Sequence, residues 1–265
     1  EPTKISETST DFLAKNDYLV NPALPPSKRD FLLFTSAGDK SNVKQWIGNK
    51  GEYRNYDIVV VYYGDKSIDY TVDESYVRKE TKFPNLQWYM KTHPINKYKA
   101  IAVWDDDIQA TPTTINKLFE EMLLSTADVF SPCHTRGNFA SLHKYNSKGW
   151  RYVEYIEMNA PMFLPWKIND FMSVFDPIIK GWGTELWYGH RCNKIHASCT
   201  MAVSDSFCVT NPRTRADGTR EINKAQPEKV RHSTWDLYAK NVLKQPNGNP
   251  KTSIIRGYDH YKHIS

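Results

Sequence analysis

The sequence predicts an α/β fold in which a mostly parallel sheet is covered by helices on both faces. Three observations carry the prediction. Two short segments, 31–34 and 58–63, are apolar or aromatic at every position, strand and helix patterns alternate as far as residue 212, and the strand candidates end in Gly-Asp or Asp-rich turns. A strand with one wet face alternates apolar and polar residues, whereas one covered on both sides reads as a continuous apolar run. A chain of 265 residues is accommodated by a single domain, since single cores grow to about 250–300 residues.

The elements follow in order. Residues 1–30 are polar and turn-rich, with Asn21-Pro22 and Pro25-Pro26, and read as an N-terminal arm. The first core strand is Phe31-Leu32-Leu33-Phe34, opening into Thr35-Ser36-Ala37-Gly38-Asp39, and the second, 56–63, opens into Gly64-Asp65. A third strand is expected at 86–90, before Lys91, and a fourth at 98–104, running into Asp105-Asp106-Asp107. Thr111 and Pro112 then begin a helix with Ile115, Leu118, Phe119, Met122 and Leu123 at helical spacing. A fifth strand at 128–132, a long sixth at 153–164 and a helix carrying Ile168, Phe171, Met172 and Phe175 complete a core spanning 31–212. Residues 213–265 form a basic appendage to the same domain, with one helix from Pro227.

Composition narrows the function classes. Aromatic residues make up 13% of the chain, too many for a disordered segment. The longest apolar runs fall well short of the ~18 residues of a membrane span. Lysine and arginine exceed the acids by +5, an excess concentrated in the appendage, which suits an anionic ligand but is as readily a solvated surface. The four cysteines contain no C-x-x-C pair, and His196 with Cys192 and Cys199 matches no standard zinc spacing, so the thiols are expected to be reduced core residues. With no signal segment at the start, a cytoplasmic protein is expected.

The strongest chemical signal is Trp104-Asp105-Asp106-Asp107. Alternate residues of an extended segment share a side, so Asp105 and Asp107 are expected to face one hard cation, and open α/β sheets bind ligands at this end of their strands. The second signal is Gly181-Trp182-Gly183-Thr184-Glu185, where Thr184 is expected to cap a helix and Glu185, ionised at its first turn, to act as a general base. The alternative is that Glu185 only complements the helix dipole. Between them, Glu157 and Asn159 are expected to share one strand face and hold an acceptor, or else to satisfy buried polar atoms.

Five segments occur in the order and spacing of a known family: Tyr56-Asp57-Ile58-Val59-Val60-Val61 with Gly64-Asp65, Gln87-Trp88-Tyr89-Met90-Lys91 with His93-Pro94, Val103-Trp104-Asp105-Asp106-Asp107, Glu157-Met158-Asn159-Ala160-Pro161-Met162-Phe163, and Gly181-Trp182-Gly183 with an acid one residue on. Over residues 30 to about 212 the chain resembles the domain-of-unknown-function family 707, whose core is similar to glycosyltransferases of the GT-A fold, a Rossmann-like architecture. The resemblance implies a metal-dependent transfer from a nucleotide-sugar, UDP-linked by default and a pentose such as xylose by guess, to a hydroxyl of a glycan acceptor, with inversion. It implies Mn2+ or Mg2+ on Asp105 and Asp107. It places Thr35, Ser36, Ala37, Asp39 and Asp65 near the nucleoside, with Asp106 beside the same donor, and makes Lys91 a candidate phosphate contact. Glu185 becomes the base and Glu157, Asn159, Trp182 and Gly183 the acceptor side. The chain departs from the pattern twice: Glu185 stands where the family usually has Asp, and no late histidine supplies a third metal ligand, leaving Asn211, His232 or water. An N-terminal anchor trimmed before Glu1 would place such an enzyme in the Golgi lumen. Two rivals remain: a non-catalytic carbohydrate-binding protein on the same fold, and a metal-dependent phosphotransferase or nuclease, which would want a second acidic cluster for its second metal. No nucleic-acid partner is expected.

Overall fold

The computed structural model describes residues 18–21, 29–135, 148–153, 155–192, 199–212, 223 and 226–244. The strands are β1 Tyr18–Asn21, β2 Phe31–Ala37, β3 Tyr56–Tyr62, β4 Glu74–Val77, β5 Ala100–Asp105, β6 Val129–His134, β7 Trp150–Val153, β8 Met162–Phe163 and β9 Met201–Val209. The α-helices are α1 Val43–Ile47, α2 Lys82–Met90, α3 Pro112–Ser125, α4 Pro165–Val174, α5 Thr184–His190 and α6 Glu228–Asn241. All nine strands join one sheet in the order β1-β4-β3-β2-β5-β8-β6-β9-β7. The β4-β3-β2-β5 pairs and the β6-β9 pair are parallel, while β8 lies antiparallel between β5 and β6. The α/β reading, with a mixed and mostly parallel sheet in one compact unit, holds.

Alternate residues of the central strands enter two separate cores, which is why these strands are apolar at nearly every position. Leu32, Phe34, Val59, Val61, Ile101 and Val103 pack on one face against α2, α4, α5 and α6. Phe31, Leu33, Ile58, Val60, Ala102 and Trp104 pack on the other against α1 and α3. Helix α3 begins as its sequence dictates: Thr111 Oγ1 accepts from the Thr114 N–H at 3.2 Å and Pro112 occupies the first turn.

Several expectations are corrected. Residues 86–90 belong to helix α2, which begins at Lys82 after Thr81. Pro84 lies in its first turn, where a missing N–H costs no helix hydrogen bond. The long strand at 153–164 is two short strands, β7 and β8, in different parts of the sheet, with non-strand backbone at 155–161. The cysteines are oxidised: Cys133 pairs with Cys208 and Cys192 with Cys199, leaving no free thiol. The polar appendage docks through α6, whose Trp235 and Ala239 are fully buried in the core. Most of the arm, residue His196 and the chain after 244 lie outside the described residues.

Candidate functional site

Strand β5 ends at Asp105, and Asp106 and Asp107 form a turn closed by the Ile108 N–H on Asp105 O at 3.3 Å. Strand alternation therefore does not govern the three acids. Asp106 turns toward the neighbouring strand and accepts from the Gly38 N–H at 2.8 Å, and the Asn42 N–H and side-chain amide donate to the carbonyls of Asp106 and Asp107, each at 2.6 Å. Asp106 is thus a latch between the ends of β2 and β5. Asp107 is buried, whereas the Asp105 side chain retains 36% of its exposure and forms the open edge of the turn.

The residues expected near a nucleoside divide into two groups. Thr35 and Ala37 have no exposed surface, and Thr35 Oγ1 donates to Trp104 O at 2.8 Å, so both hold the sheet together. Ser36 pairs in register with Asp105 and accepts at Oγ from Asn85 Nδ2 at 2.8 Å. Asp39 joins two loops: it accepts from the Tyr62 hydroxyl and from the N–H groups of Asp65 and Lys66 at 3.0 and 3.1 Å. The Tyr62 hydrogen bond leads in holding its carboxyl below the ordinary range. A Cβ on Gly64 would lie 2.2 Å from Asp39 Oδ1 and 2.4 Å from the Tyr62 hydroxyl, so this joint requires glycine. Asp65 is exposed and paired with Lys79 at 2.7 Å.

Lys91 is not at this edge. It follows the last turn of α2, nine residues beyond Lys82 and so about 13 Å along the helix axis. The residue that α2 delivers to the acidic turn is Lys82. Its buried ammonium lies 2.7 Å from Asp105 Oδ1 and donates to Met158 O at 2.5 Å. Three residues on, buried Asn85 bonds Ser36 and the Glu80 carbonyl and accepts from Arg78 Nη1. Lys82 and Asn85 are not among the residues the sequence points to, since they precede the strand expected at 86–90. The signal was present as Thr81 followed by Pro84, a helix start with polar residues at positions one and four.

Glu185, in the first turn of α5, lies within electrostatic reach of Lys82 and Glu157. Gly183, with φ 92°, is the residue before that helix and Thr184 its first member, so Thr184 is not the cap. Burial, then the charge of Glu157, raises the Glu185 carboxyl to about 7, against the lowering pull of backbone N–H groups at Gly183 and Glu185 and of Lys82. The expectation of a carboxylate held in its ionised form by the helix terminus is thereby reversed, because desolvation outweighs the helix terminus. Glu157 is half-buried, and Asn159 reaches the site through its backbone, accepting from the Asp105 N–H at 2.7 Å. These two lie on irregular backbone, so their proximity to the site does not come from a shared strand face.

The Gly-Trp-Gly loop is the seat of α6. A Cβ on Gly183 would lie 2.2 Å from the indole of Trp235. Trp182 stacks on His232 with ring centroids 4.1 Å apart, and the Lys180 ammonium pairs with Glu80, just ahead of α2. His232 thus belongs to the Trp182 stack. Trp187 is core, buried against Phe171 and Phe175. Asn211 is buried just past a bridge in which Gln109 and Thr210 exchange hydrogen bonds of 2.8 and 3.1 Å, which ties this part of the chain to the segment that follows the acidic turn. His134, at the end of β6, is buried with Nε2 3.5 Å from Asn159 Nδ2.

A divalent ion such as Mn2+ or Mg2+ surrounds itself with six or more oxygen ligands. At this edge Asp105 Oδ1 already faces an ammonium and Asp106 Oδ2 accepts an N–H, so a second cation would meet Lys82 across a shared carboxylate. Among the described residues, no three His, Cys, Asp or Glu side chains are placed to hold an ion together. Lys82 thus holds the face of Asp105 that a metal on Asp105, Asp107 and Asn211 would share, and no chemical step is routed through such an ion. No helix among the described residues is long and apolar enough to cross a membrane. No protein-family model matches the chain, and no curated protein matches it.

Proposed function

We propose that the chain transfers a sugar from a nucleotide-sugar, UDP-linked by the resemblance of its motifs, to a hydroxyl of a carbohydrate acceptor. The observation that carries this reading is the buried Glu185 carboxyl, raised to about 7 beside Glu157 and Lys82, with Lys82 in turn on Asp105 at the carboxyl end of a central strand. A carboxyl of that character is divided between its two forms at neutral pH, and the ionised form is a stronger base than an ordinary glutamate. Glu185 takes the acceptor's proton as the hydroxyl oxygen bonds to the anomeric carbon. The bond from that carbon to the diphosphate breaks on the opposite side, and the electron pair leaves with the nucleoside diphosphate. One base and one displacement invert the anomeric centre.

Both disulfides suit an oxidising compartment, which supports the lumenal alternative over the cytoplasmic one. The pairing of Asp105 with Lys82 also favours a second reading, a carbohydrate-binding protein without turnover. The two separate in an assay of nucleotide release from UDP- and GDP-sugars. The transferase releases nucleotide from at least one donor, and Glu185→Gln lowers kcat by about a hundredfold or more with little change in donor KM. Release from none of the donors would leave the binding protein as the better reading.

A further inference from the structure

The acidic edge contains a cation of its own. The Lys82 side chain is 10% exposed and opens the first turn of α2, where the helix terminus adds positive potential. A buried ammonium is tolerated only when its charge is paired and its protons are bonded. Two of its three protons face Asp105 Oδ1 at 2.7 Å and Met158 O at 2.5 Å. The third is available to an oxygen arriving over Asp105, whose side chain is the exposed member of the turn. The pairing offsets the charge of Asp105, the member of the turn that an incoming anion would meet first.

We infer that Lys82 is the resident cation of the donor site: its ammonium contacts the diphosphate directly, Asp105 and the Met158 carbonyl position it, and nucleotide binding requires no divalent metal. The inference rests on the donor being a nucleoside diphosphate sugar, as proposed above. It assigns the phosphate contact to the start of α2 and makes Asp105 a positioning residue.

Titration calorimetry with UDP tests it, using the full chain in EDTA and in MnCl2. The wild type is expected to bind with dissociation constants within about threefold of each other in the two buffers, since no metal contact is gained. Loss of one charge-assisted hydrogen bond to phosphate weakens binding about tenfold, so Lys82→Met should fall by that factor in EDTA while Lys82→Arg retains most of the affinity. Tightening of wild-type binding by tenfold or more on adding Mn2+ would overturn the inference and leave the transferase reading standing, as would Lys82→Met binding like the wild type. The wild-type comparison decides even where Lys82→Met does not fold. Absence of UDP and UDP-sugar binding in both buffers would instead remove the donor reading, and the inference with it.

Discussion

The two halves of the sheet are held together by different means. From β4 to β5 every pair is parallel, and the strand ends are tied to their immediate neighbours: Thr35 to Trp104, Gly38 to Asp106, Asn42 to Asp107, and Asp39 to Tyr62 and the loop after it. From β8 to β7 the sheet is mixed, with the parallel β6-β9 pair between two antiparallel ones, narrows to the two residues of β8, and is fastened by a disulfide and by α6 arriving from the far end of the chain. The edge that carries Asp105 is therefore built from hydrogen bonds between strands adjacent in the sheet. The side with Glu185 depends instead on a disulfide between strands and on a helix docked against the Gly183 loop. Its stability should be more sensitive to single breaks.

The largest effect belongs to the bridge between β6 and β9. Cys133 and Cys208 are 75 residues apart, and closing a loop of that length removes about 4.5 kcal/mol of unfolded-chain entropy, against about 2.4 kcal/mol for the seven-residue loop between Cys192 and Cys199. Urea unfolding of Cys133→Ala/Cys208→Ala should show a loss near the first figure, and Cys192→Ala/Cys199→Ala near the second. Equal losses would mean that the bridges act through native contacts rather than loop length.

The seat of α6 comes next. Trp235 is fully buried against Gly183, and truncating a buried tryptophan costs about 3–5 kcal/mol. Trp235→Ala should lower the unfolding free energy by about 4 kcal/mol. Gly183→Ala attacks the same joint from the other side, by a clash with the indole and a φ of 92° that disfavours a side chain. Because Trp235→Ala clears the space that the new methyl needs, the two losses should add to less than their sum in a double-mutant cycle. Full additivity would show that the joint is not one unit.

The same contrast explains what could be read from the sequence. The central strands were legible because burial on both faces leaves a continuous apolar run, and α3 because its cap and proline are local signals. The acidic turn and Glu185 were legible as motifs. Lys82 and Asn85 lie just ahead of the strand expected at 86–90, and only the helix that begins at Lys82 turns them toward the acidic turn. The disulfides were hidden because cysteine spacing states nothing about which strands a fold brings side by side, and β6 and β9 become neighbours only through the crossover. The docking of Trp235 on Gly183 had no local trace beyond the glycine itself. The shift of Glu185 depended on burial and on Glu157, neither of which sequence position conveys.

Two carboxylates sharpen the comparison further, because they shift in opposite directions. Asp39, at the joint between the loops after β2 and β3, is held low chiefly by the Tyr62 hydroxyl, so it contributes stability above the ordinary aspartate value that is lost as pH falls through its lowered one. Glu185, in the first turn of α5, is raised by burial from 4.5 to about 7. Below 4.5 it is protonated in both the folded and unfolded chain and carries no penalty. Between 4.5 and 7 the unfolded chain releases the proton while the folded one retains it, so stability falls with rising pH, by up to about 3 kcal/mol in all, and is level above that window. Glu185→Gln removes the titration. Urea unfolding at pH 4.5 and pH 8 should show the variant gaining on the wild type by up to about 3 kcal/mol between the two, while its nucleotide release is lost. A residue retained for packing would show the reverse, with stability lost on substitution at both pH values. A gain in stability coupled to loss of turnover is the mark of a group kept in an unfavourable environment for its chemistry.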